Sequence, residues 1–430
     1  MTQSVSFPRL FLLLWAGLLA LIFSLPRTAA ALPRCDPRAL GARGDGVTKD
    51  TVPLQAAIDN CARQGGGTVH LSPGTFLTAP IELKSNITLE LDKGATLLGS
   101  SDHRDYPAHD EFRLPDLEPL ISAVNATNLA ITGEGVIDGA GASWWEEARR
   151  IKDHGVLGSG HPRPKLIVFD HCKHVRVEGI TIENSPMWHV VPYYSDDVVL
   201  SHLRILAPEH APNTDAIDPF SSSHVVIDHV FSDVGDDNVA IKSGAINSPG
   251  PDSPSQDITI TDCTFLHGHG LSVGSEIAGG ARRIRAERIH FEGTDNGIRI
   301  KANRDRGSDV SELEFRDIDM KDVKNALIIS EYYPAILPPA AAEAMPVTRL
   351  TPHFHGIVFE NVAATGSTMA AAIVGLPEAP IADIVLKNVK ISAQKGATIG
   401  FAAVRGEGVQ FEAADGPPVT ELQGARVSFH

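Results

Sequence analysis

Val198-Val199-Leu200-Ser201-His202, Val225-Val226-Ile227-Asp228-His229, Ile258-Thr259-Ile260-Thr261-Asp262, Ile284-Arg285-Ala286-Glu287-Arg288 and Leu313-Glu314-Phe315-Arg316-Asp317 are versions of one short phrase. Apolar residues alternate with polar ones, the period of a half-buried strand. Working outward, the phrase also begins at Ile87, Leu129 and Val175, and again at Ile357 and Ile384. Successive spacings are 42, 46, 23, 27, 33, 26, 29, 44 and 27 residues. Most sit near one value, and the long gaps before Leu129, Val175 and Ile357 leave room for inserted loops. Short strands at this period, with no helical pattern between them, predict a stacked coil. One turn cannot bury its apolar side chains alone, whereas stacked turns share a continuous core. The expected fold is therefore all-β, a single right-handed parallel β-helix. A β-sandwich would place its strands every ~8–12 residues instead.

A coil has an open end that invites edge pairing. Before the first repeat, Leu54, Ala57, Ile58 and Cys61 recur at helical spacing, with Pro53 in the first turn and Gly65-Gly66-Gly67 as the stop. This predicts an N-terminal capping helix with Asp50 as its cap. A strand should follow at Thr68–Leu71. Cys35 and Cys61 flank that helix and are the favoured disulfide, with Cys172 and Cys263 left over. The four cysteines are too scattered for a zinc site.

Residues 1–31 read as a separate object. Arg9 precedes the apolar run Leu10–Phe23, Pro26 and Arg27 break it, and Ala29-Ala30-Ala31 offers a cleavage site, the pattern of a secretory signal peptide. Residues 32–430 then form one catalytic β-helix domain, secreted and without stable membrane association. Its charge is 35 − 53 = −18, because the leader holds two of the 37 basic residues and none of the 53 acids. Such an acidic balance argues against broad nucleic-acid binding. A monomer is the expectation.

A second phrase interleaves with the first: Asp215-Ala216-Ile217-Asp218, Asp237–Lys242, His269-Gly270-Leu271-Ser272-Val273, Asn296–Lys301 and Asn325–Ile329. Aligned at their first residues, these are 22, 32, 27 and 29 apart, again turn spacings. Asp215, Asp237, His269 and Asn296 should therefore stack on adjacent turns, with backbones ~4.8 Å apart per turn. The resulting patch holds Asp215, Asp236, Asp237 and His269, with Arg299 and Lys301 on one strand face. Crowded carboxylates raise one another's pKa, so one can stay protonated while another is ionised. Hydrolysis of a glycosidic bond needs that division. Two fixed cations facing a groove suit an anionic substrate.

Asn213-Thr214-Asp215, Gly235-Asp236-Asp237, Gly268-His269-Gly270 and Arg299-Ile300-Lys301 resemble, in order and spacing, the four signature segments of glycoside hydrolase family 28, the polygalacturonases. The resemblance runs from about Leu40 to Tyr333; the last ~95 residues match only in turn pattern. It implies inverting hydrolysis of α-1,4-linked galacturonic acid in pectin, without cofactor or metal. It implies Asp236 as general acid, Asp215 and Asp237 as the carboxylates that activate water, and His269 as the residue tuning the acid. Arg299 and Lys301 would bind the substrate carboxylate, with Asn213 and Tyr333 (Tyr332 being a rival) also at the substrate. Asn238 stands where family members often carry Cys, which removes the expectation of a local disulfide to Cys263. Asp215 and Asp237 on adjacent turns suggest the short carboxyl gap of a retaining enzyme; the inverting assignment holds if the Asp236 side chain points elsewhere. Other readings are a rhamnogalacturonan hydrolase, a Ca²⁺-dependent pectate lyase on a similar coil, and a non-catalytic carbohydrate-binding β-helix. A Ca²⁺ site at Asp215, Asp236, Asp237, His267 and His269 would need more oxygen ligands.

Overall fold

A computed structural model describes residues 33–111, 114–153, 162–244 and 253–430. The leader expected at 1–31 lies outside them. The repeated phrase becomes the wall of a right-handed parallel β-helix. Its strands pair in the register that the phrase predicts: Leu129 with Val175, Val175 with Val198, Val198 with Val225, and onward through Ile258, Ile284, Leu313 and Ile357 to Ile384. All these pairings are parallel, and one antiparallel hairpin, Ala108–Glu111 with Leu114–Leu117, stands apart from the coil.

Stacking turns in register puts like on like inside. Phe265 meets Phe291 with ring centroids 5.4 Å apart, and Phe315 meets Phe359 at 5.0 Å. The alternating apolar positions belong to one continuous buried core that runs from Ala42 to Phe411. At one corner a buried serine ladder replaces apolar contact: Ser195 Oγ accepts from Cys172 N at 2.9 Å, and Ser222 Oγ from Ser195 N at 3.0 Å.

The capping helix α1 spans Thr51–Arg63 and buries Leu54, Ala57, Ile58 and Cys61 against the first turn. Cys35 and Cys61 are bridged as expected, and Cys172 and Cys263 are free. The strand after it runs Gly67–Leu71. Asp50 stands at the N-cap position, with Leu54 N donating to its carbonyl at 2.9 Å, but its side chain does not cap the helix. Its carboxylate accepts instead from Arg43 N at 2.7 Å and Gly44 N at 2.8 Å, tying the Gly41–Gly46 loop to the helix start. Those amides face a carboxylate that α1 itself leaves unused.

The long gaps hold what their length allowed. The hairpin precedes Leu129 and residues 331–352 form an excursion before Ile357, but the gap before Val175 holds a helix, α2 (Ala142–Asp153), which corrects the expectation of no helix between the repeats. The last ~95 residues, matched above only by turn pattern, continue the same coil: Ile384 pairs with Val404, and Val404 with Val427. Among the described residues no helix is long and apolar enough to cross a membrane.

Candidate active site

One file of side chains runs along the coil beside the groove. Ile167, Val190, Ile217, Val239, Leu271, Ile298 and Leu327 pair successively in register. The residues two places before each therefore line up: Lys165, Trp188, Asp215, Asp237, His269, Asn296 and Asn325. The second phrase had stacked Asp215, Asp237, His269 and Asn296 on adjacent turns, and the backbone pairs them so. Ala216 N donates to Asp237 O at 2.9 Å, and Asn238 N to Gly270 O at 2.9 Å.

Asp236 and Asp237 are consecutive and face different partners. Asp236 Oδ1 meets His269 Nδ1 at 2.8 Å, while His269 Nε2 lies 3.4 Å from Asp295. Asp237 Oδ1 accepts from Arg299 Nη2 at 2.6 Å and Ser272 Oγ at 2.8 Å, and Oδ2 accepts from Lys301 Nζ at 3.1 Å. Arg299 and Lys301, expected as two cations facing the groove, also pair with Asp237, because a carboxylate buried that deeply needs them. They still border a cleft of about 300 Å³ that Asn296, Asn325, Ser330 and Tyr333 help to line.

Tyr332 and Tyr333 take different positions. The Tyr333 ring lies 5.4 Å from Lys301 Nζ, whereas Tyr332 packs beside Arg304, which is held by Glu378. Asn303 Nδ2 donates to Tyr333 O at 2.9 Å and steadies it. Asn213 occupies a left-handed turn (φ 58°), and its Oδ1 accepts from the buried Arg163 at 2.7 Å. Asn238 fills the site of the missing cysteine usefully: its Oδ1 accepts from Gly270 N at 3.0 Å and fixes the turn that carries His269.

Burial drives the electrostatics. Asp215 is pushed up to about 7 by burial and then by the Asp236 charge. Asp237 suffers the same burial, but Lys301 and Arg299 override it and hold it well below the usual carboxylate range. The Asp236 charge raises His269 against its burial. Burial and neighbouring Arg299 depress Lys301. Asp236, Asp237 and His269 have donor atoms within 4.8 Å of one another. Arg299 and Lys301 on Asp237 make that trio a poor seat for a metal cation.

A family model for glycosyl hydrolases family 28 matches residues 68–405, well past the Tyr333 limit of the resemblance noted above. The chain belongs to glycosyl hydrolase family 28. It is 31% identical over 388 residues to a probable polygalacturonase of Vitis vinifera, covering 86% of this chain and 76% of that protein. It is 31% identical over 362 residues to an endo-polygalacturonase of Pectobacterium carotovorum subsp. carotovorum, covering 80% and 84%. The solved exopolygalacturonase from Thermotoga maritima superposes with a TM-score of 0.77 at 29% identity, covering 90% of this chain and 93% of that one.

This family 28 site holds residues that the sequence reading passed over. Lys242 Nζ sits 3.6 Å from each of Asp215, Asp218 and Glu276, and 4.8 Å from the centre of the Trp188 ring. Burial opposes its charge, but Glu276, Asp215 and Asp218 together raise it well above its ordinary value. The signal was available: Lys242 closes its phrase as Lys301 closes Asn296–Lys301, two turns on. His189 Nδ1 donates to Asp215 O at 2.9 Å, and burial lowers this imidazole to about 4, so it is a neutral donor beneath the acid. Asp218 is fully buried and raised well above its ordinary value, by burial first and then by Asp215. Asp218 closed the first segment of the second phrase without being given a role, and no spacing in the sequence marked His189 or Glu276.

Proposed function

We propose that this enzyme is a secreted polygalacturonase that hydrolyses α-1,4-galacturonosidic bonds of pectin with inversion at the anomeric carbon. The carrying observation is Asp237 clamped between Arg299 and Lys301, one residue from an Asp236 that His269 holds. Family membership and the polygalacturonase relatives support the substrate class.

In this reading Asp236 is the general acid. It gives its proton to the leaving glycosidic oxygen, and His269 stabilises the carboxylate that remains. Asp237 stays ionised between its two cations and, with Asp215, orients a water and withdraws its proton as the oxygen attacks the anomeric carbon. Burial and then the Asp236 charge push Asp215 up to about 7. The productive form is the one that has Asp215 ionised beside Lys242 and a proton on Asp236. Arg299 and Lys301 share their remaining hydrogen-bonding capacity with the sugar carboxylate, Tyr333 walls the cleft, and Asn213 shapes the approach to Asp215. No cofactor or metal takes part. Carboxylate oxygens of Asp236 and Asp237 lie within 4.8 Å of each other, so the inverting assignment rests on the family resemblance and not on carboxyl separation.

The test is product analysis on polygalacturonic acid. New reducing ends whose first-formed anomer by NMR is β support the reading. An α first product means retention. An unsaturated, ultraviolet-absorbing product means a lyase, and release only from rhamnogalacturonan moves the substrate.

A further inference from the structure

Away from the groove, His353 and His355 stand on alternate residues at the start of the strand His353–Val374, so their side chains share a face. Asp309 and Ser311 begin the neighbouring strand and pair with them in register, Asp309 with His353 and Ser311 with His355. The three donor atoms converge. Asp309 Oδ1 lies 3.2 Å from His353 Nδ1 and 3.0 Å from His355 Nε2. Ligands around a tetrahedral zinc, with bonds of ~2.0–2.1 Å, lie ~3.3 Å apart. The other oxygen, Oδ2, accepts from Ser311 Oγ at 2.9 Å, the outer contact that orients a ligating carboxylate.

Three clusters of this kind occur among the described residues. In the Asp228–His229–Asp262 cluster, Arg288 grips Asp262 at 2.8 and 2.7 Å. In the Asp236–Asp237–His269 cluster, Arg299 and Lys301 hold Asp237. Among the described residues no guanidinium or ammonium pairs with Asp309. On the adjoining strand Arg282, which pairs with Ser311, donates to Gln256 at 2.8 Å. The backbone beneath is stiff. His353 N donates to Ser308 O at 2.9 Å, and a Cβ on Gly307 would fall 2.6 Å from Pro352.

We propose that Asp309, His353 and His355 form a surface binding site for a divalent first-row transition ion, with water completing the coordination. Two imidazoles and one carboxylate select zinc-like ions over Ca²⁺ and Mg²⁺, which take oxygen donors. The ion would staple the far end of the 331–352 excursion to the strand that follows residues 302–308. These are the two loops that carry Tyr333 and its support Asn303.

The experiment is calorimetric titration of the whole folded protein, metal-stripped, with ZnCl₂ at neutral pH and separately with CaCl₂. One equivalent of Zn²⁺ should bind in the micromolar range and raise the unfolding temperature. His353→Asn/His355→Asn should abolish that binding, and Ser311→Ala should weaken it ~10-fold through the lost outer contact. His353 and His355 stand at the surface of the coil wall, and Ser311→Ala removes only a buried hydroxyl, so the variants should fold. His229→Asn and His269→Asn should leave the Zn²⁺ isotherm unchanged. Absence of saturable Zn²⁺ binding, binding that survives the double variant, or equal affinity for Ca²⁺ would each overturn the proposal. None of these results touches hydrolysis of polygalacturonate, which is measured separately.

Discussion

Two files of residues run along the same coil and differ in almost everything chemical. The groove file is Lys165, Trp188, Asp215, Asp237, His269, Asn296 and Asn325. The corner file is Gly133, Gly179, His202, His229, Asp262, Arg288, Asp317, Asn361, Asn388 and Gly408, each left-handed with φ between 49° and 121°. Both arise from the same one-residue-per-turn stacking. At the exposed corner, like sits on like and charges are met cheaply: His202 stacks on His229 at 4.9 Å, and Asn388 donates to Asn361 at 2.9 Å. Arg288 hydrogen bonds hold Asp262 below the usual carboxylate range. In the groove, burial raises Asp215, and Asp237 stays ionised only because two cations are buried with it. Repetition supplies the alignment; solvent exclusion turns alignment into acid–base chemistry.

The sharpest way to break this contrast is to neutralise one acid in each region. Asp236→Asn should lower kcat by ~10²–10⁴-fold, since an amide cannot give the proton that the leaving oxygen needs. Asp262→Asn on the corner should leave kcat unchanged. Equal rates for the two variants in a reducing-end assay would remove Asp236 from the acid role.

pH comes next. The mechanism needs Asp236 protonated, so once that proton is lost as pH rises activity should decline about tenfold per unit. A flat rate from pH 5 to pH 9 contradicts this. Stability carries the same sign. Asp215 keeps in the folded state a proton that the unfolded chain, with an ordinary Asp pKa near ~4, has released. Its contribution to folding therefore worsens between roughly pH 4 and 7. Asp215→Asn should flatten that part of the curve of melting temperature against pH.

A smaller effect separates the two duties of Lys301. Lys301→Met should reduce kcat/KM on free-acid oligogalacturonate more than on its methyl ester, which has no charge to pair. Some loss on the ester is also expected, because Lys301 helps to keep Asp237 ionised. Arg299→Lys should follow the same order, since a point charge cannot reproduce the guanidinium fork on Asp237 and Ser272. Equal losses on acid and ester would assign both residues to Asp237 alone.

The coil itself was legible because its register is written in the chain: ten phrases, one per turn, paired where their first apolar residues align. The acids of the groove were legible for the same reason. What escaped were contacts made by depth and not by period. Asp50 turned to the Gly41–Gly46 loop because three-dimensional proximity offered two free amides there. His189 and Asp218 lie under Asp215, and nothing in their spacing distinguishes them from core positions. The pairing of Arg299 and Lys301 with Asp237 follows from desolvation, which a string of letters does not display.

The least effect tests the corner file on its own terms. Asn361 sits left-handed at φ 55°, donates to Asp317 at 2.8 Å and accepts from Asn388 at 2.9 Å. An L-residue pays ~1–2 kcal/mol for that backbone, least for Asn, and Gly avoids the cost. A β-branched residue is the worst choice there. Asn361→Val should therefore destabilise by about 1–2 kcal/mol in urea unfolding, and Asn361→Gly by distinctly less, since it loses only the exposed ladder bonds. Neither should alter kcat, because Asn361 belongs to the solvent-facing corner. If Val and Gly cost the same, the ladder bonds and not the left-handed backbone select the residues of the corner file. If either variant changes kcat, the two files are mechanically coupled through the turns that separate them.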